Sequence, residues 1–361
     1  MKRVLNNRGM TRRSWLKSTA AILTGTAVSL RWSPSTLDAA PAAKALAIGS
    51  RRELFVDRFL IDRLTGAHLE LHAPQLAPVM TEPADNLEYG TVIKDGDLFI
   101  DTKEYAFDSQ NVSFWSESEQ RYVCYFRHFL DKRLRSVCRT TSQDFLKWSE
   151  PVALRPNFPG EHLYTTLTHP YFRAPHIYVA LPTRFHPERG ESTDILFMTA
   201  RGDEPYDRTF REAFIRPGLD TARWGNRANY AALNVVPTGP AEMSIYTTPF
   251  RRFVLRTDGF ASVQAGADPG EMVTRPLQFS GQELFLNYST SAAGSVRVEI
   301  QDADGQPFPG YALADCRSLV GDTIEQAVTW TKGGTVATLA GRPVRLRFVL
   351  QEADLFALQF R

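Results

Sequence analysis

The stretch from Phe107 to Pro156 constrains this chain more than any other, because it reads as one complete unit of antiparallel sheet. Phe107-Asp108-Ser109-Gln110-Asn111-Val112-Ser113-Phe114-Trp115 is a polar and aromatic run suited to an innermost strand. A polar turn at Ser116 to Gln120 leads into Arg121-Tyr122-Val123-Cys124-Tyr125-Phe126-Arg127, then Leu134 to Thr141, and the unit closes on Ser142-Gln143-Asp144 through Trp148 to Pro151. Short β-branched and aromatic runs cut by polar turns are strand signals. A degraded copy starts at Thr168: Thr168-His169-Pro170-Tyr171 replaces the inner strand, Ile177 to Phe185 matches the second, and Ile195 to Arg201 matches Ser136 to Thr141. Both units end on Arg-Pro, at Arg155-Pro156 and Arg216-Pro217. Four short strands at a period of about 55 to 60 residues are the sequence sign of a β-propeller blade.

Elsewhere the same texture recurs. Arg51 to Asp62 alternates like a strand and is expected to complete the last blade; Leu87 to Ile93 supplies a first inner strand, turning at Lys94-Asp95-Gly96-Asp97 into Leu98-Phe99-Ile100. Only Asp101 to Ala106 then precedes the next inner strand, so a blade segment is missing there. A fourth inner strand fits Asn229 to Val236, followed by Glu242 to Tyr246 and Phe250 to Arg256. From Gly270 the pattern changes to alternating strands at Leu284 to Ser289, Ser295 to Ile300, Val344 to Leu350 and Leu355 to Phe360, which read as a β-sandwich of ~90 residues. The expected organisation is a leader over 1–45, a propeller over 46–265 and a sandwich over 270–361, all-β throughout.

The leader reading rests on Thr11-Arg12-Arg13-Ser14-Trp15-Leu16-Lys17, which resembles a twin-arginine export signal. Its apolar Ser18 to Leu30 falls short of the ~20 residues of a spanning helix, and small-residue cleavage candidates follow at Ala40-Pro41-Ala42 and Ala43-Lys44-Ala45. The expected location is periplasmic or extracellular, reached through the twin-arginine machinery, with no membrane contact in the mature form. The net charge of +2, from 42 basic and 40 acidic side chains, gives no case for a nucleic-acid partner. No metal spacing, Gly-rich phosphate loop or nucleophile elbow is present, so no metal or organic cofactor is expected. Cys124 and Cys138 fall on neighbouring strands and either pair or serve as small fillers, while Cys316 stands alone.

Leu54-Phe55-Val56-Asp57, Phe107-Asp108-Ser109-Gln110-Asn111, Thr168-His169-Pro170-Tyr171, Pro240-Ala241-Glu242-Met243-Ser244 and Asn287-Tyr288-Ser289-Thr290-Ser291-Ala292-Ala293-Gly294-Ser295 together resemble a family of exported bacterial glycosidase-like proteins. That family is similar to the five-bladed propeller glycoside hydrolases of families 32 and 43 with a C-terminal sandwich. This chain resembles a shortened member, lacking roughly a blade and a half between Ile100 and Asp101 and part of the connection at Tyr246 to Phe250.

Inner strands of a propeller line one central channel, so polar groups at their starts meet there. Glycoside hydrolysis needs a carboxylic acid for the leaving oxygen and a carboxylate as nucleophile or base. Asp108 is the candidate base, Glu88 between Leu87 and Tyr89 the candidate acid, and Glu242 a third carboxylate. Equally, Asp108 caps its strand and Glu88 is a solvated turn residue. Gln110, Asn111, His169, Asn229 and Tyr230 are candidate sugar contacts, and Arg127 and Arg184, at matching places in the two units, either bind an acidic sugar or tie strand ends to nearby acids. Ser142 to Trp148 resembles an Asp-box turn, a structural device. The expected function is hydrolysis of a poly- or oligosaccharide; the competing expectation is a carbohydrate-binding surface protein without catalysis.

Overall fold

The computed structural model describes residues 44–78, 109–131, 133–248 and 251–361. Glu88, Asp108, the expected strands between Leu87 and Ile100, and nearly all of the leader lie outside the described residues. What is described is all-β, with only two short 3-10 turns, at Thr221–Trp224 and Val336–Leu339.

The Phe107 unit forms a four-stranded antiparallel meander of Val112–Ser116, Arg121–Leu130, Leu134–Ser142 and Val152–Ala153. Its middle strands are buried on both faces, which is why Val123, Tyr125 and Val137 form one apolar cluster while Cys124, Phe126 and Cys138 form another. The two cysteines are free, and burial pushes both thiols up to about 11, so they act as small apolar fillers. At the Asp-box turn, Asp144 Oδ1 accepts the amides of Leu146 and Lys147, each at 2.8 Å, and Trp148 Nε1 donates to Phe145 O at 3.2 Å.

The copy that follows is bent across two sheets. Ala174–Ala180 lies between His169–Tyr171 and Met198–Ala200, whereas its continuation Thr183–His186 lies between His162–Leu163 and Ser192–Ile195. The break falls at Leu181-Pro182, because proline has no N–H to continue a ladder; Pro182 O still accepts Leu196 N at 2.9 Å. A further sheet holds Val236–Gly239, Glu242–Thr247 and Arg251–Arg256, with Gln75–Leu76 as its outer strand. The expected strand over 229–236 is mostly irregular, with Asn234 at φ 76°, and touches the sheet through the bridge Ala231 to Thr247.

An eight-stranded sheet carries the largest core. The four strands expected after Gly270 are two long ones, Leu284–Gln301 and Arg345–Phe360, paired from Leu284↔Phe360 to Gln301↔Arg345. Both bend where the register shifts between Thr290 and Ser295, opposite Glu352 at φ 40°. A Cβ on Gly294 would collide with the carbonyls of Gln351 and Glu352, so this bend requires glycine. Arg51 to Asp62 does not complete a blade: Glu53–Leu54 pairs with Arg345–Phe360, and Ile61–Thr65 with Gly270–Thr274. Since Ala261–Ala265 and His68–Leu71 share this sheet, it crosses the expected boundary between 265 and 270, and 43–361 is one compact unit.

Buried charges join the sheets. Glu53, wholly buried, accepts Arg201 Nη1 at 2.7 Å and Arg51 Nε at 2.6 Å and lies 3.2 Å from His176 Nε2. Arg201 also holds Asp57 at 3.0 Å, with its guanidinium 3.9 Å from the Phe59 ring centre. Asp258, also wholly buried, accepts Tyr171 Oη at 2.7 Å, Asn287 Nδ2 at 3.0 Å, Arg173 Nε at 3.3 Å and Arg52 Nη1 at 3.4 Å. Burial favours the protonated form of Glu53, but the His176 hydrogen bond and the Arg201 charge outweigh it and hold the carboxyl at about 2, from an ordinary 4.5. Between those values the unfolded chain binds a proton that the folded chain does not, so this stabilisation is complete above pH 4.5 and is lost as pH falls towards 2. Urea melts at pH 3, 5 and 7 should show Glu53→Gln less stable at pH 7 by ~3 kcal/mol, because Arg201 loses a buried charge partner. The variant's midpoint should also vary less with pH than the parent's, and equal slopes for the two would contradict the assignment.

Candidate functional site

Three segments remote in sequence meet around Tyr164. Ser109 Oγ donates to Tyr164 O at 2.9 Å, Gln110 Nε2 donates to Ala231 O at 3.0 Å, and the Tyr164 and Tyr230 rings lie 5.6 Å apart. Two guanidiniums close over the same tyrosine, Arg127 at 5.0 Å and Arg135 at 4.8 Å from its ring centre. Arg135 also lies 5.0 Å from the Phe185 ring and 5.7 Å from Phe129, which makes a three-ring cage, and no carboxylate among the described residues pairs with it. Cation–π contacts of this kind hold a charge where carboxylates are lacking. Arg135 was not singled out by sequence reasoning, since two of its three rings come from residues 29 and 50 positions away, at Tyr164 and Phe185.

The expected sugar contacts divide at this cluster. Gln110 and Tyr230 are buried, Arg127 is buried against Tyr164 and Phe129, and Asn111 is part-buried at the start of the meander. His169 lies deeper, with Nδ1 donating to Leu167 O at 2.8 Å and Nε2 accepting Val235 N at 3.2 Å. Burial pushes it down to about 4, so it is neutral at pH 7 and both ring nitrogens are engaged by backbone. Asn229 Nδ2 donates to Thr193 O at 2.7 Å and Arg223 O at 2.8 Å, and its Oδ1 accepts Arg223 Nε at 2.9 Å. Arg184 is turned away to Asp194, its cross-strand neighbour, in a bidentate pair at 2.9 and 2.6 Å.

Glu242 does not join this cluster. Thr247, at the far end of its strand, bridges Ala231, and five residues of extended chain separate them by about 17 Å. Glu242 lines a cleft of about 650 Å³ with Glu70, His72, Arg256 and Phe356. Its carboxylate is ion-paired to Arg252 and accepts Thr238 Oγ1 at 2.7 Å. His72 Nε2 lies 2.8 Å from Ser262 Oγ, and that hydroxyl donates to Asp354 Oδ1 at 2.6 Å. The acid thus takes the serine proton instead of orienting the imidazole, so this is not a nucleophile–base–acid relay. Burial pulls His72 below its ordinary range, against the opposing charge of Asp354. The cleft holds two carboxylates and a neutral imidazole, a set able to bind sugar hydroxyls.

No family model matches the sequence, and no curated protein matches it. Among solved structures, the chain is similar to an exo-β-1,3-galactanase from Phanerochaete chrysosporium with galactose, at 11% identity and TM-score 0.21, over 68% of this chain and 55% of that one. A variant of the same galactanase with β-1,3-galactotriose gives 12% identity and TM-score 0.20 over the same shares. The chain spans just over half the length of that enzyme, and a superposition this loose fixes no shared topology.

His169→Ala should cost ~1–3 kcal/mol in urea melts, because it strands the buried Val235 amide and Leu167 carbonyl. His169→Gln should recover part of that loss. A destabilisation below ~0.5 kcal/mol would show that the histidine does not hold these segments together.

Proposed function

We propose that this is an exported glycosidase-like protein that hydrolyses a poly- or oligosaccharide. In this reading its sheets form a shortened propeller of the type found in glycoside hydrolase families 32 and 43, followed by a sandwich. The observation that carries it is the meeting of Ser109-Gln110, Tyr164 and Tyr230-Ala231 under Arg127 and Arg135. Segments 55 and 121 positions apart come together there, as the hub of a radial arrangement requires.

Asp108 directly precedes Ser109. In the proposed mechanism Asp108 is nucleophile or base and Glu88 protonates the leaving glycosidic oxygen, with ~5 to ~9.5 Å between carboxyl groups according to stereochemical outcome. Tyr164 and Arg135, both part-exposed, supply a ring face and a cation that suits a carboxylated or sulfated sugar, with the buried Tyr230 and Arg127 backing them. The twin-arginine leader carries the folded protein to the periplasm or beyond. One observation favours the second reading, a carbohydrate-binding protein without catalysis: His169 and Asn229 spend their polar atoms on backbone and on Arg223, leaving few groups for substrate.

The purified mature chain, screened against galactans, arabinans, uronans and aryl glycosides, should release reducing ends. Asp108→Asn and Glu88→Gln should each lower the rate by ~10²–10⁴-fold, with Glu242→Gln within a few-fold of the parent. Saccharide retention without hydrolysis would establish the second reading. Loss on Glu242→Gln alone would move the chemistry to the cleft with Glu70. Arg12→Lys with Arg13→Lys should leave the unprocessed chain in the cytoplasmic fraction, and normal export of that variant would remove the twin-arginine assignment.

A further inference from the structure

Trp224 is held out in solvent, 56% exposed, by bonds that leave its indole little freedom. It ends the turn Thr221–Trp224, whose Asp220 caps Ala222 N at 3.0 Å and is ion-paired to Arg251. The preceding Arg223 is clamped by Asn229, so the buried amide of Asn229 organises this turn. Trp224 Nε1 donates to Gly218 O at 2.9 Å, which engages its only polar atom and fixes the ring plane. Its face has no aromatic partner among the described residues. An indole more than half exposed, with its polar atom already satisfied, offers its outer face to a ligand, and such faces mark binding surfaces.

The ring borders a cleft of about 490 Å³, within the range of small-ligand sites. Arg184, Arg189, Arg216 and His186 line it against Asp194 and Glu212. Arg184 and Asp194 neutralise each other, and His186 faces Glu188 at 3.4 Å. Neither Arg189 nor Arg216 makes an ion pair among the described residues, although the neighbouring Glu188 carboxylate is held below its ordinary range by its own backbone amide and, in part, by the charge of Arg189. Against these two guanidiniums the lining sets one carboxylate outside an ion pair, Glu212, which accepts Arg211 N at 3.0 Å. An arginine fork matches a carboxylate with two parallel hydrogen bonds.

We propose that this cleft is a binding site for a uronic acid unit of an acidic oligosaccharide, its ring stacked on Trp224 and its carboxylate on Arg216 and Arg189. It shares no lining residue with the cleft beside Glu242. It goes beyond hydrolysis, because a surface site of this kind retains a polymer whether or not the chain cleaves it.

Native gels cast with polygalacturonate, alginate or glucuronan, against neutral galactan and dextran, test this directly. At least one acidic polymer should retard the Asp108→Asn protein, with the neutral polymers having no effect. Trp224→Ala changes no charge, so it separates stacking from charge attraction; it should cut retardation at least fivefold, and Trp224→Tyr should keep most of it. Arg189→Gln with Arg216→Gln should cut it by a similar factor. Equal retardation of Trp224→Ala and the parent, retardation by neutral polymers alone, or none by any acidic polymer would overturn the proposal. Because retardation is read on the Asp108→Asn protein, absence of hydrolysis leaves it intact, and hydrolysis with no loss on Trp224→Ala overturns it alone.

Discussion

Glu53 and Asp258 are two carboxyl groups without solvent contact, and the seating of the bent copy against the eight-stranded sheet is arranged to satisfy them. A lone charge in such a place is strongly unfavourable, and it persists only when counter-charges and hydrogen-bond donors surround it. Here the donors come from four segments remote in sequence: Arg51 and Arg52 near the start of the described chain, Tyr171, Arg173 and His176 from the bent copy, Arg201 beyond it and Asn287 from the long strand. The eight-stranded sheet and the sheet of His169–Tyr171, Ala174–Ala180 and Met198–Ala200, with their flanking residues, each contribute part of a shell that neither could complete alone. Apolar packing under the eight-stranded sheet supplies cohesion, while the ion pairs specify how the sheet around Ala174–Ala180 seats against it.

The sequence made some of this readable and hid the rest for definable reasons. The meander was legible because its signals are local: alternating strands, a polar turn at Ser116 to Gln120 and an Asp-box closed by Asp144. The copy was found, but not its bend, since Pro182 only shows as a ladder break once its neighbours are known. The long strands read as four because Ser291-Ala292-Ala293-Gly294 looks like a hairpin turn, whereas the chain runs on through a bulge. Buried ion pairs were beyond local reading: Arg52 and Asp258 stand 206 positions apart.

The candidate site shows the same division. Gln110, Arg127 and Tyr230, expected sugar contacts, come together around Tyr164. What side chains do at a hub depends on contacts that no spacing encodes. His169 and Asn229 satisfy backbone, Arg184 answers Asp194, and the cage around Arg135 exists only when Tyr164 and Phe185 fold onto Phe129. Trp224 had no periodic neighbour to mark it; its significance comes from exposure combined with a satisfied indole nitrogen.

The pairing of Glu53–Leu54 and Ala261–Ala265 with Arg345–Phe360 bears on biosynthesis. A ribosome must deliver roughly 300 residues after Leu54 before that segment meets its ladder partner, and so high a contact order makes for slow, late closure. Until then the nascent edges stand open to neighbouring chains. Cotranslational folding can complete the meander early, but the central sheet closes only after Arg345–Phe360 has emerged.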